Sequence, residues 1–153
     1  MSFASSPDFL VINGRSTRCL VVDDNETNRR ILDIMLDSTG CQVSQAENGV
    51  QACEAFERED WDVILMDIQM PVLDGLDATR RIRERERQLG LERTPIIIVS
   101  AFVSPADIAE SRRAGADLHL GKPVSLEPLL QAVYDAVASR GAPASVPAQS
   151  SRA

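Results

Sequence analysis

The chain has 153 residues, 44% of them hydrophobic and 25% charged, which suits one globular domain with a well-buried core. Its net charge of −7 argues against non-specific nucleic-acid binding through its surface. No apolar run approaches the roughly 18 residues of a membrane span, and the start of the chain lacks a signal peptide's basic residues and long apolar core. A cytoplasmic protein with no membrane association is therefore expected.

Residues 1–17 mix Ser, Pro, Asn and Gly and read as a flexible N-terminal segment. The folded unit is expected over residues 18–140. Within it, strand and helix patterns alternate. Cys19-Leu20-Val21-Val22 reads as a short apolar strand. A helix follows over 27–39, with Leu32, Met35 and Leu36 at helical spacing and Gly40 at its stop. Residues 42–46 form a second strand and 50–59 a second helix, with Cys53 and Phe56 inward. Val63-Ile64-Leu65-Met66 is four apolar residues in a row, the pattern of a strand buried on both faces.

The third helix spans 76–88. Its Arg80, Arg81, Arg83, Glu84, Arg85, Glu86 and Arg87 read as a solvated outer face. Ile96 to Val99 is the fourth strand. Ser104-Pro105 is a good helix start, with Ser as N-cap and Pro at the first helical position, and that helix ends at Ala114-Gly115. Leu118-His119-Leu120 is a short fifth strand. The last helix, 126–139, carries Leu126, Leu129, Leu130, Val133 and Val137 on one face. Residues 141–153 are small, polar and Pro-containing, and are expected to form a disordered tail. The three cysteines, Cys19, Cys41 and Cys53, show no C-x-x-C pairing and read as reduced thiols.

Five strand–helix units in sequence argue for a parallel sheet with helices on both faces. In such sheets the ligand site lies beyond the carboxyl ends of the strands. Asp23 and Asp24 follow the first strand, Asp67 the third, Ser100 the fourth, and Lys122-Pro123 the fifth. Three converging carboxylates repel one another and cannot all ionise cheaply. A hard divalent cation relieves this, and Mg²⁺ prefers one or two carboxylates, waters and phosphate oxygens. An Asp beside such a metal is a plausible nucleophile toward phosphorus, giving an acyl phosphate. Transfer needs the charge on three equatorial oxygens neutralised, for which the metal, Lys122 and the Ser100 hydroxyl are at hand.

These residues, in the order Val21-Val22-Asp23-Asp24-Asn25, Leu65-Met66-Asp67-Ile68-Gln69-Met70-Pro71, Asp74-Gly75, Val99-Ser100-Ala101 and Lys122-Pro123, resemble the receiver domain of two-component response regulators. The resemblance covers roughly residues 18–140. It implies a flavodoxin-like, doubly wound five-stranded parallel sheet of order 2-1-3-4-5, with helices on both faces. It implies Asp67 as the phosphoacceptor, supplied by a histidine kinase or a histidine phosphotransfer protein. Asp23, Asp24, Asp67 and the Gln69 backbone carbonyl would hold Mg²⁺, and Lys122, joined to Pro123 by a cis bond, would pair with the phosphoryl group. Asn28, in Asp24-Asn25-Glu26-Thr27-Asn28, resembles receivers attached to hybrid sensor kinases. The family usually has Thr where this chain has Ser100, and Tyr or Phe where it has His119, so Ser100 and His119 are the expected switch pair. Gln69 and Phe102 flank the path of an attacking water, and Phe102 is expected to lengthen the phosphoryl lifetime.

Because 13 residues cannot hold an output domain, the output is expected to be protein–protein contact through the fourth helix, fifth strand and fifth helix. Catalysis would be limited to the chain's own phosphorylation and slow dephosphorylation. Two other classes compete. A Mg²⁺-dependent aspartyl-phosphate phosphatase usually has an acidic residue two after its nucleophile, where this chain has Gln69. A receiver-fold binding module that is never phosphorylated has no need of the full set of Asp23, Asp24, Asp67 and Lys122.

Overall fold

The computed structural model describes residues 7–140; residues 1–6 and the expected tail at 141–153 lie outside the described residues. The expectation of a flexible segment up to residue 17 needs correcting for residues 7–17. Strand β1 (Val11–Ile12) pairs antiparallel with β2 (Arg15–Ser16). The two-residue turn between them is Asn13-Gly14, both at positive φ, the favoured chemistry of a tight hairpin. Leu10 is fully buried in the core, and its backbone exchanges hydrogen bonds with Thr17 and Thr39. Gly40, at φ 84°, lies so close to the hairpin that a Cβ would meet Val11 at 2.7 Å.

The remaining strands are β3 (Arg18–Val22), β4 (Gln42–Ala46), β5 (Val63–Met66), β6 (Ile96–Ser100) and β7 (Leu118–Gly121). They form one five-stranded sheet of order β4-β3-β5-β6-β7, all parallel. Counted from β3, this is 2-1-3-4-5, the flavodoxin-like winding. The helices are α1 (Glu26–Asp37), α2 (Gly49–Arg58), α3 (Gly75–Leu89), α4 (Pro105–Ala114) and α5 (Leu126–Arg140).

Strand alternation sorts the core into two layers. Cys19, Val21, Val63, Leu65, Ile97 and Val99 pack with Leu32 and Leu36 of α1 and with Leu129, Leu130, Val133 and Val137 of α5. Leu20, Val22, Ile64, Met66, Ile96 and Ile98 pack with Ala52 and Ala55 of α2 and Ala78 and Ile82 of α3. Every residue of β5 is buried, as expected of a central strand covered on both faces.

Local chemistry sets the helix starts. The side chains of Asn25, Asn48, Asp74 and Ser104 each accept the backbone N–H three residues on, satisfying an otherwise orphaned donor. Ser104 and Asp107 complete a reciprocal capping box, with Pro105 behind the cap. Gly90 and Gly115 end α3 and α4 in the left-handed conformation.

Two readings of side-chain placement change. Cys19 and Cys41 are buried, but Cys53 is only half-buried. The charged run of α3 is not uniformly solvated, because Arg83 and Glu86 are buried. Arg83 donates to Glu86, Asp117 and the carbonyls of Gly115 and Thr94, all within 2.9 Å. Among the described residues no helix is long and apolar enough to cross a membrane.

Candidate functional site

Register brings the carboxyl ends of four strands to one edge: Val22 lies beside Met66, and Ser100 beside Gly121. The residues that follow are therefore neighbours. Asp23, Asp24 and Asp67 each offer a carboxylate oxygen, and these oxygens lie within 4.8 Å of one another. Asp23 and Asp67 are buried, while Asp24 is exposed. The Lys122 ammonium lies 3.0 Å from Asp23 Oδ2 and 3.4 Å from Asp67 Oδ1. The peptide bond between Lys122 and Pro123 is cis.

The electrostatics follow from this crowding. Burial and the Asp23 charge push the Asp67 carboxyl above its ordinary pKa; Lys122 pulls it down without cancelling them. Burial lowers the Lys122 pKa, but the hydrogen bond to Asp23 and the charges of Asp67 and Asp23 outweigh it and leave a net rise. Three carboxylates against one ammonium leave an excess of negative charge at this edge. The donors are all hard oxygens, the set that suits Mg²⁺.

The loops hold these groups in place. Asp23 Oδ1 accepts the Asn25 N–H, and Asp67 Oδ1 accepts the Ile68 N–H. Arg29, on α1, is buried and donates to the Asp23 carbonyl at 2.8 Å. It clamps the first acidic loop, and helical periodicity alone does not reveal that this arginine folds inward. Gly75 approaches so closely that a Cβ would sit 1.8 Å from the Asp67 carbonyl, so any larger residue forces the loop after β5 to shift. That loop also holds Val72 at φ 74°, a strained conformation for a β-branched residue.

Ser100 is buried at the end of β6, and its Oγ accepts the Phe102 N–H at 3.0 Å. The Phe102 carbonyl lies 2.9 Å from His119 Nε2, and His119 Nδ1 lies 3.0 Å from Ser111 Oγ on α4. A hydrogen-bonded chain thus runs from the Ser100 hydroxyl through Phe102 and His119 to α4. A carbonyl only accepts, so Nε2 carries a proton. Nδ1 can accept from Ser111, or donate to it while the Ser111 hydroxyl bonds the Ile108 carbonyl, 2.9 Å away. The sequence pointed to His119; Ser111 was missed, since a serine inside a helix carries no signal of its own. The Phe102 ring and Gln69 are exposed.

A doubly wound sheet with acidic loops, a lysine and a hydroxyl at its carboxyl edge defines a flavodoxin-like α/β protein whose site lies at the switch point of strand order. The chain belongs to the response regulator receiver domain family of two-component systems: the family model of that description matches residues 19–134. Among curated relatives, it is 36% identical over 125 residues to the sensory/regulatory protein RpfC of Xanthomonas campestris, covering 82% of this chain and 17% of that protein. It is 36% identical over 142 residues to the hybrid signal transduction histidine kinase A of Dictyostelium discoideum, covering 86% of this chain and 6% of that protein. The chain therefore spans less than a fifth of the length of these relatives.

Among solved structures, it resembles the receiver domain of a sensor histidine kinase of Pseudomonas aeruginosa PAO1, with magnesium coordinated in the active-site cleft (TM-score 0.73, 35% identity, 80% of this chain and 98% of that one). It also resembles a chain of a Saccharomyces cerevisiae co-crystal between a histidine phosphotransfer protein and the receiver domain of its downstream response regulator (TM-score 0.75, 30% identity, 82% of this chain and 91% of that one).

Proposed function

We propose that the chain accepts a phosphoryl group on Asp67 from a phosphohistidine of a histidine kinase or phosphotransfer protein. The observation that carries this reading is the Lys122 ammonium within 3.4 Å of Asp67 and 3.0 Å of Asp23, beside a third carboxylate. Asp67 Oδ1 is held by the Ile68 N–H, leaving Oδ2 to attack. The Oδ2–P bond forms as the P–N bond to the donor imidazole breaks. The imidazole nitrogen keeps the bonding pair and takes up a proton. Lys122 moves its charge onto a phosphoryl oxygen, and the Ser100 hydroxyl, which only accepts a bond from Phe102, has its proton free to donate to another. Asp23, Asp24, Asp67 and the Gln69 carbonyl would hold Mg²⁺, which when bound neutralises charge developing on the phosphoryl oxygens. The acyl phosphate is the stored signal.

The donor class is supported by the relatives, which are hybrid kinases, and by the likeness to a receiver co-crystallised with a phosphotransfer protein. Time-resolved transfer from a panel of phosphorylated histidine kinases and phosphotransfer proteins tests it. One donor should transfer at least tenfold faster than the rest; the absence of transfer from every donor, with acetyl phosphate also inactive, rejects the reading.

The output is a protein contact through α4, β7 and α5, where Phe102, Val103, Leu118 and Leu126 are exposed. Here His119 has two linked roles. It belongs to this surface, and it ties β7 to α4 and to the loop after β6. When the Ser100 hydroxyl turns to the phosphoryl group, the Phe102 bond is released and the far end of the chain, at His119 and Ser111, is freed to move. His119→Ala is expected to leave labelling of Asp67 intact and to weaken binding of the phosphorylated form to its partner about fivefold, the loss of roughly 1 kcal/mol of hydrogen bonding. The beryllofluoride-bound protein should show an altered His119 NMR titration relative to the free protein. An unchanged titration leaves only the passive surface role.

Phe102 also bears on phosphoryl lifetime. An apolar ring beside the path of water offers no hydrogen bond to orient it, whereas a carboxylate can. Phe102→Glu is expected to speed loss of the phosphoryl group several-fold, about 1 kcal/mol off the barrier. Unchanged or slower decay of that variant counts against the shielding role.

A further inference from the structure

The arginine-rich run of α3 is not used by the phosphoryl site. Helices run antiparallel to the strands they cover, so the end of α3, the loop leading into β6 and the end of α4 meet at the pole of the sheet opposite the acidic loops. There they enclose a cleft of about 490 Å³, lined by Arg80, Arg81, Arg83, Arg87, Arg93 and Arg113. Six of the fifteen arginines of a chain of net charge −7 thus face one small volume. The only acidic residue in the lining is Glu84.

The carboxylates around this cleft do not match its cations one for one. Asp117 is shared by Arg83 and Arg93, and Glu110 by Arg80 and Arg113, the last at 3.9 Å. Arg81 has no carboxylate partner among the described residues. The side chains of Arg80, Arg87, Arg93 and Arg113 are 47–70% exposed, so their ion pairs are of the kind that contribute little and exchange readily. Beneath them, Arg83 is anchored by four acceptors and gives the cleft a rigid floor. The Arg83 pKa is lowered first by burial and further by the Arg93 charge, the sign of cations crowded together.

We infer that this cleft is a binding site for a small polyphosphate, a ligand carrying at least two linked phosphate groups. Guanidinium forks match phosphate oxygens in pairs. A volume near 490 Å³ lies in the range of small-ligand sites. A linked anion can replace several weak exposed carboxylate contacts at once and meet the unpaired Arg81. A single phosphate can reach only one or two of the arginines and should bind far more weakly.

Calorimetric titration of the full chain with inorganic triphosphate, without Mg²⁺ and at low salt, tests this, together with NMR mapping of backbone amides. Saturable binding is expected, at least tenfold tighter than inorganic phosphate and weakening as salt rises. Shifts should be confined to the end of α3, the loop into β6 and the end of α4. The double variant Arg81→Ala/Arg113→Ala, both at exposed positions, should lose at least tenfold in affinity while keeping its melting temperature and acetyl-phosphate labelling. No saturable binding overturns the inference. So does equal affinity in the double variant, or a shift pattern centred on Asp23, Asp67 and Lys122. A poly-glutamate peptide that binds as tightly as triphosphate also overturns it, in favour of an acidic protein partner.

Discussion

Asp67→Asn is expected to abolish labelling by acetyl phosphate, and EDTA is expected to do the same to the unaltered chain. The amide has the shape of the carboxylate. Its Oδ1 can still accept the Ile68 N–H, and Lys122 keeps its hydrogen bond to Asp23. What disappears is the nucleophile: an amide oxygen has no charge to place on phosphorus. Folding should not suffer. Burial and Asp23 already hold the Asp67 carboxyl above its ordinary pKa, so ionised Asp67 is a cost that the variant removes. Melting temperature should stay the same or rise. Intact-mass measurement after incubation with acetyl phosphate and Mg²⁺, with and without EDTA, checks both halves. Undiminished labelling of the variant moves the phosphoryl group to another residue and sinks the assignment of Asp67. Labelling that survives EDTA removes the metal from the reading, leaving Lys122 as the cation at the site.

The parts of this chain legible from sequence are those in which one residue type repeats at a fixed spacing. Val63 to Met66 could only be a strand buried on both faces, and the helices announced themselves by cap and stop residues such as Ser104-Pro105 and Gly115. Once the strands were placed, the strand-end rule was enough to gather Asp23, Asp24, Asp67, Ser100 and Lys122. The hairpin at 11–16 was passed over because two strands of two residues have no period to detect. Its only signal was Asn13-Gly14, and a short polar stretch hides that pair easily. Arg29, Ser111 and Arg83 belong to a third kind. Each sits on a helix where polar residues are common, and each turns inward because a particular acceptor waits there: the Asp23 carbonyl, His119, and the Gly115 carbonyl with Asp117. Such pairings join positions 6, 8 and 32 or more residues apart. They depend on how elements dock, and no local pattern encodes that.

The buried arginine of α3 gives the largest stability effect expected here. Arg83→Ala removes a side chain that is 5% exposed and meets four acceptors between 2.7 and 2.9 Å. Glu86 is equally buried and keeps only the Thr94 N–H as a donor. Asp117 keeps Arg93 and the Ile96 N–H, but the Thr94 carbonyl loses the donor that Arg83 supplied. Breaking a buried pair from one side leaves an uncompensated charge and costs about 3–5 kcal/mol, against a total stability of roughly 5–15 kcal/mol for a domain. The melting temperature should fall by on the order of 10 °C or more. Two residues on, Arg85 pairs with Glu57 at 2.7 Å, but both side chains are more than 40% exposed. Arg85→Ala should change stability by no more than about 0.5 kcal/mol. The two arginines look alike in the sequence, so urea denaturation of both variants separates a solvated face from a folded-in network. If Arg83→Ala unfolds at the same urea concentration as Arg85→Ala, the network contributes nothing and the charged face of α3 is solvated throughout.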